Sequence, residues 1–110
     1  MMVIEIPTDR ISDVESFHTV FAELMGFPDF YGRNMAAWVD CMSSVDDPES
    51  GMTSVTVKEG EVLTLKLVSY PSFRDRCPDL LNDLVEEAVF VNWRRIESGL
   101  PPLVALAFYD

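Results

Sequence analysis

The chain has 110 residues, of which 48% are hydrophobic, which suits one domain over residues 1–110 with one modest core. Its 8 Lys and Arg residues stand against 19 Asp and Glu residues, giving a net charge of -11. Such a charge repels phosphate backbones and anionic membranes and attracts basic proteins. We therefore expect no direct binding to nucleic acid or to a membrane.

The N-terminal ten residues carry acid where a signal peptide needs a basic start, and no apolar run approaches the roughly 20 residues of a membrane span. We therefore expect a cytoplasmic protein. Cys41 and Cys77 lie in no C-x-x-C motif, and one possible pair cannot define a disulfide framework. Both are predicted to be reduced and to pack in the core.

The N-terminal part of the chain predicts a short strand and a helix. Residues 2–6, MVIEI, are rich in β-branched side chains and favour the strand. The helix is predicted over about 13–25, with Ser12 and Glu15 in the S-x-x-E pattern of a capping box and Gly26 as its stop. The apolar side chains at helical spacing are Val14, Phe17, Phe21 and Leu24.

The middle of the chain predicts a second helix followed by a hairpin. Asn34 is a favoured N-cap residue type, and the helix that it starts is predicted to end near Ser43 or Ser44. Residues 45–51 have the composition of a surface loop. Residues 53–58 and 62–68 have strand composition, and the second run is apolar enough for a buried central strand.

The C-terminal part predicts a long helix over about 79–98 and a last strand over 103–109. The apolar face of the helix is formed by Leu80, Leu81, Leu84, Val85, Ala88, Val91 and Ile96. Strands separated by helices indicate an α/β fold with a three-stranded parallel sheet packed with helices. A hairpin at about 53–68 would add one extra strand to this plan.

Motifs for catalysis are missing from this sequence. His18 is the single histidine, and no H-E-x-x-H, P-loop, G-x-S-x-G or G-x-G-x-x-G pattern occurs. We expect no enzyme activity, metal or cofactor, and a structural or surface role for His18. The acid pairs at 46–47 and 86–87 are interpreted as solvated charge, and Arg94 and Arg95 as complements of the helix dipole.

The segment FPDFYGRNMAAWVDCM covers residues 27–42. It places a proline, two adjacent aromatic residues, a glycine and an asparagine directly before one helix. A short loop has limited room to bury Phe30 and Tyr31 on one side, so at least one ring should reach solvent. Exposed aromatics beside a helix N-terminus and the acid Asp40 are typical of a protein-binding patch.

This segment resembles the signature of the barstar family, intracellular inhibitors of secreted microbial ribonucleases, in its P-x-aromatic-Tyr-Gly-x-Asn core followed by Asp-Cys. The resemblance implies a three-stranded parallel sheet packed with helices, and a loop and second helix that plug a ribonuclease active site. It implies an immunity protein for a toxin, with a basic ribonuclease as partner. We expect the free protein to be a monomer. By position, the contact loop would contain Phe30, Tyr31, Gly32 and Asn34, with Asp40 as the phosphate-mimicking acid and Cys41 as a packing residue.

Two features depart from the family pattern. Ala36 stands where family members often have a second acid, and Arg33 adds positive charge to the loop, as Arg94 and Arg95 do to the long helix. The alternative function is a barstar-like module that binds a non-nuclease protein. A continuous negative field over residues 30–46 favours the inhibitor, and a field broken by Arg33 or Arg94 favours the module.

Overall fold

A computed structural model describes residues 2–110 of the chain. The strands are β1 (Met2–Pro7), β2 (Leu63–Val68) and β3 (Val104–Phe108), and the helices are α1 (Val14–Met25), α2 (Met35–Met42), α3 (Tyr70–Arg76) and α4 (Pro78–Glu97). Short 3-10 turns cover Thr8–Arg10 and Pro48–Ser50. No helix in this range is long and apolar enough to cross a membrane.

The three strands form one parallel sheet in the order β1-β2-β3, which confirms the predicted α/β fold. Ile4, Leu65 and Leu106 are in register across it. Along β2 the side chains alternate, with Leu63, Leu65 and Leu67 fully buried and the residues between them only half-buried. One face of the sheet therefore carries the core, and the other is more open to solvent.

The core lies between that sheet face and the helices. The largest fully buried aromatic side chains are Trp38, Phe17, Phe21 and Phe73. Phe21 of α1 meets Trp38 of α2 edge to face, with ring centroids 5.7 Å apart. This contact joins the two helices that flank the loop of residues 27–34. Cys41 and Cys77 are both buried, which confirms that they pack in the core.

The N-terminal cap of α1 differs from the predicted one. The capping pair is Asp13 and Ser16, because the Asp13 carboxylate accepts from the Ser16 amide at 2.8 Å and the Ser16 hydroxyl accepts from the Asp13 amide at 3.0 Å. The prediction of Ser12 and Glu15 was therefore wrong by one residue. Both frames contain suitable side chains, and only the backbone path selects between them.

The predicted strand over residues 53–58 is not formed. The amide of Ser54 donates to the carbonyl of Met25, and the amide of Val57 to that of Val45, so this segment bonds to a helix end and a loop. The central strand β2 already pairs with β1 on one side and β3 on the other. With both of its edges occupied, β2 cannot accept a hairpin partner.

Two features of the C-terminal half were also missed. The short helix α3 is too brief for a periodic pattern, and it is held by Arg76, whose guanidinium donates to the carbonyls of Ile11 and Thr8 at 2.9 and 3.1 Å. Ile96 was predicted to be buried but is 58% exposed. It lies five residues after Val91, about 140° further round the helix, and so leaves the buried stripe.

Candidate functional site

The loop of residues 27–34 runs directly into α2 through Asn34. The Asn34 side-chain oxygen accepts from the amide of Ala37 at 2.8 Å, which confirms the predicted helix start. Its side-chain nitrogen donates to the carbonyl of Gly32 at 3.3 Å. Both ends of this amide are therefore used where the loop meets α2, and Asn34 fixes the path by which the loop enters the helix.

The two adjacent rings of the loop point in different directions. Phe30 is 76% exposed, whereas Tyr31 is only 9% exposed. This confirms that at least one ring reaches solvent. The Tyr31 ring packs against Phe27, with centroids 4.6 Å apart, and its hydroxyl lies 2.5 Å from Nδ1 of His18. Tyr31 thus anchors the loop to α1, and Phe30 is presented to solvent.

His18 is buried on α1 beside this anchor and has a structural position. Burial, helped by the positive charge of Arg33, lowers the pKa of His18, and burial raises the pKa of Tyr31. Both groups are thus neutral at pH 7, and one hydrogen bond joins the Tyr31 hydroxyl to Nδ1 of His18. Residues 13 apart carry no sequence signal for such a contact, so the sequence could not pair them.

Arg33 is a second anchor of the loop. Its backbone is left-handed, with φ of 52°, a conformation that few residues other than glycine adopt. Its guanidinium donates to the carbonyl of Glu15 at 2.9 Å and to the hydroxyl of Thr19 at 2.7 Å, both on α1. The positive charge that departs from the family pattern is therefore tied to α1.

Asp40 is exposed in the last turn of α2, at the rim of a pocket of about 200 Å³. The pocket is lined by Phe30, Tyr31, Gly32, Ala37, Asp40, Cys41 and Met52. The structure therefore brings four of the five predicted site residues around one depression. Asn34 does not line it. Met52, from the segment that forms no strand, was missed because its approach depends on the tertiary fold.

Asp40 also has a basic neighbour. Nη1 of Arg94 on α4 lies 3.6 Å from its Oδ1, with side-chain exposures of 47% for the arginine and 64% for the aspartate. The negative surface of α2 is thus partly neutralised at this edge. An ion pair this exposed is weak, and a partner can separate it at little cost.

The neighbouring Arg95 has a different role. Its guanidinium donates two hydrogen bonds of 3.1 and 2.6 Å to the Asp46 carboxylate, and each side chain is only 11% exposed. The interpretation of Asp46 as solvated charge was therefore wrong. Because Arg95 is neutralised internally, it contributes little to the charge of the outer surface.

The sequence matches the Barstar family, described as barnase inhibitor, over residues 1–95. The chain belongs to the barstar family. No curated protein matches it. The family match covers the whole loop and α2 and ends within α4, so both Asp40 and its neighbour Arg94 lie inside it.

In this barstar-family chain the candidate site combines the exposed Phe30 ring, the pocket and the exposed Asp40 carboxylate. Burial, with the negative charge of Asp40, raises the pKa of Cys41 to about 11, so the sulfur is a neutral thiol at pH 7. Within residues 2–110, no group of three His, Cys, Asp or Glu side chains is arranged to hold a metal ion. An exposed ring, a pocket and a carboxylate on a rigid helix can bind a protein that presents cationic side chains.

Proposed function

We propose that this chain inhibits a basic ribonuclease by covering the active site of the enzyme with the loop of residues 27–34 and α2. The observation that carries the proposal is the exposed Asp40 carboxylate beside the exposed Phe30 ring, at one pocket, in a chain of the barstar family. Phe30, Gly32 and Asp40 contact the enzyme. Tyr31 and Asn34 hold the loop in the shape that binds.

The inhibition is electrostatic and steric. The Asp40 carboxylate takes the position of a substrate phosphate among basic side chains of the enzyme, and Arg94 moves aside. Charge complementarity raises the association rate, and charge pairs buried at the centre slow dissociation. The barnase and barstar pair is itself the reference case for these rate effects, so they are carried over to this chain from its family. The chain catalyses no reaction and acts as the cytoplasmic immunity partner of a toxin.

The loop is prepared for this role before binding. Three contacts restrain it: Tyr31 with His18, Arg33 with α1, and Asn34 with the first turn of α2. A loop that is already ordered loses less conformational freedom when a partner binds. The exposed Phe30 can therefore act as an anchor held in place by its neighbours.

A second candidate is a barstar-like module for a non-nuclease protein. It is favoured by Arg94, which breaks the negative field at Asp40, and by Ala36, which is exposed on α2 where an acid is frequent in the family. In that case the fold is kept and the target has changed. The experiment below separates the two.

The test is capture from a panel of catalytically inactive basic microbial ribonucleases, barnase among them, with the identity of the retained protein read by mass spectrometry. Asp40→Ala should weaken binding by at least about thirtyfold, since hot-spot truncations cost 2 kcal/mol or more. Asp9→Ala removes the same charge from an exposed turn and should bind as the parent does. A ribonuclease held equally by both variants, or a non-nuclease captured from the native cell in its place, contradicts the proposal.

A further inference from the structure

The outer side of α4 carries an exposed apolar stripe that the proposed contact surface does not include. The members of this α4 stripe are Val89, Phe90, Trp93, Ile96 and Leu100, with exposures of 61%, 42%, 54%, 58% and 43%. Val89, Trp93 and Ile96 are spaced 4 and 3 residues apart, the spacing of side chains that line one side of a helix and pack on a partner. Contiguous apolar surface of this kind marks interaction sites.

The stripe is ordered before any partner binds. The rings of Phe90 and Trp93 are stacked, with centroids 5.9 Å apart and planes at 20°. Leu100 lies beyond the helix end, where Gly99 turns the chain with φ of 78° and the Leu100 amide donates to the carbonyl of Arg95 at 2.9 Å. Large aromatic side chains held in place are the usual anchors of protein interfaces.

The stripe is continuous with the surface of α2. The guanidinium carbon of Arg94 lies 5.8 Å from the centre of the Phe90 ring, and the same guanidinium reaches Asp40 at 3.6 Å. At the other end, Leu100 and Ser43 line one depression of about 210 Å³. A protein seated on Asp40 therefore reaches Phe90 by way of Arg94.

The stripe is surrounded by four acids and the exposed Arg94, so the charge around it is negative on balance. Asp83, Glu86 and Glu87 precede it on α4, and Glu97 follows Trp93 by one helical turn. Burial, together with the negative charges of Asp83 and Glu86, raises the pKa of Glu87. A second copy of the chain would bring another charge of -11 against this surface. The complementary occupant is a basic protein.

We propose that the α4 stripe is a second part of the interface with the same basic ribonuclease, which contacts it through an apolar patch rimmed by Lys and Arg outside its active site. This inference rests on the proposed function. Asp40 supplies the charge interaction with the active site of the ribonuclease. The stripe supplies buried apolar area beside that active site. Phe90 and Trp93 are the central contacts, and the acids of α4 face the basic rim.

The experiment measures association and dissociation rates for Trp93→Ser, with barnase as the first probe and then each ribonuclease of the panel, all catalytically inactive. Trp93→Ser should weaken binding by at least about tenfold, mainly through faster dissociation, because apolar contacts add little to electrostatic steering. Val3→Ser is the matched control, since Val3 is 43% exposed on the open face of the sheet. Thermal unfolding by circular dichroism checks each variant, and Val89→Ser replaces Trp93→Ser if that variant is unstable.

The outcomes are distinct. Binding that is lost with Asp40→Ala and unchanged with Trp93→Ser overturns this inference and leaves the proposed function standing. Failure of every ribonuclease to bind the parent overturns both. A parent dimer in sedimentation that Trp93→Ser dissociates makes a second copy the occupant of the stripe, which also overturns the inference. Weakening by Trp93→Ser and by Asp40→Ala, with Val3→Ser unchanged, supports it.

Discussion

At the scale of single residues, Asp40 and Arg94 oppose each other. The acid that is proposed to replace a phosphate is paired with an arginine of the same chain at 3.6 Å. Exposed pairs of this kind contribute only about 0–1 kcal/mol to stability. The pair therefore matters little for folding. Its effect in the proposed complex is larger, because Arg94 repels the cations that Asp40 attracts.

We predict that Arg94→Gln speeds association with the basic partner several-fold and leaves the thermal unfolding temperature nearly unchanged. The substitution frees Asp40 and makes the net charge one unit more negative. Stopped-flow mixing at low salt measures the rate. Arg74→Gln is the control, since it changes the net charge equally but lies on α3, beside Asp75. Equal acceleration by the two variants would mean that only net charge matters and that the contact with Asp40 has no role.

His18 gives the fold a dependence on pH. Its pKa is lowered in the folded protein by burial, whereas the unfolded chain takes up a proton near the usual pKa of 6.5. Between those two values the unfolded state binds more protons, so the free energy of unfolding falls as the pH drops below about 6.5. Stability from this group is present above that pH and is lost below it.

The prediction is that His18→Gln flattens this dependence between about pH 7.5 and 5.5. The glutamine amide has both a donor and an acceptor with which it can keep a hydrogen bond to the Tyr31 hydroxyl, and the chain has no other histidine. Urea unfolding of parent and variant at each pH gives the two slopes. If the slopes coincide, His18 is not the group responsible.

At the scale of elements, one ion pair ties the end of α4 to the loop after α2. Arg95 and Asp46 are each 11% exposed and share two hydrogen bonds. Removing one member leaves a nearly buried charge without its partner, which is far more costly than losing an exposed pair. This tie also positions the start of the segment that carries Met52 to the pocket.

We predict that Asp46→Ala lowers the free energy of unfolding by about 3 kcal/mol, and that the double substitution Asp46→Leu with Arg95→Met recovers most of the loss. The double variant leaves no unpaired charge and restores apolar contact. Denaturant unfolding measures all three proteins. A loss in the double variant as large as in Asp46→Ala would show that the hydrogen-bond geometry is what stabilises this end of the fold.

At the scale of the whole molecule, the charge of -11 is concentrated in a chain whose Cα radius of gyration is 13.1 Å. Such a field draws a basic protein toward the surface before any contact forms, and salt screens it. Association with the ribonuclease should therefore slow by at least about tenfold between roughly 0.05 and 0.5 M salt, with a smaller change in dissociation. An association rate that does not change with salt would show that the net charge does not steer the encounter, which contradicts this prediction.

The sequence by itself determined the α/β class, the parallel sheet and the start of α2, because these depend on local patterns such as the apolar run of β2 and the cap at Asn34. It also selected Phe30, Tyr31 and Gly32, which line one pocket with Asp40, although it selected Asn34 as well, which does not. Only the tertiary structure decided which of two rings is buried, which frame caps α1, and that residues 53–58 form no strand. The pairs Tyr31 with His18, Asp40 with Arg94 and Asp46 with Arg95 join residues far apart in the chain. Contacts of that range leave no periodic trace, since they depend on how the helices pack on the sheet.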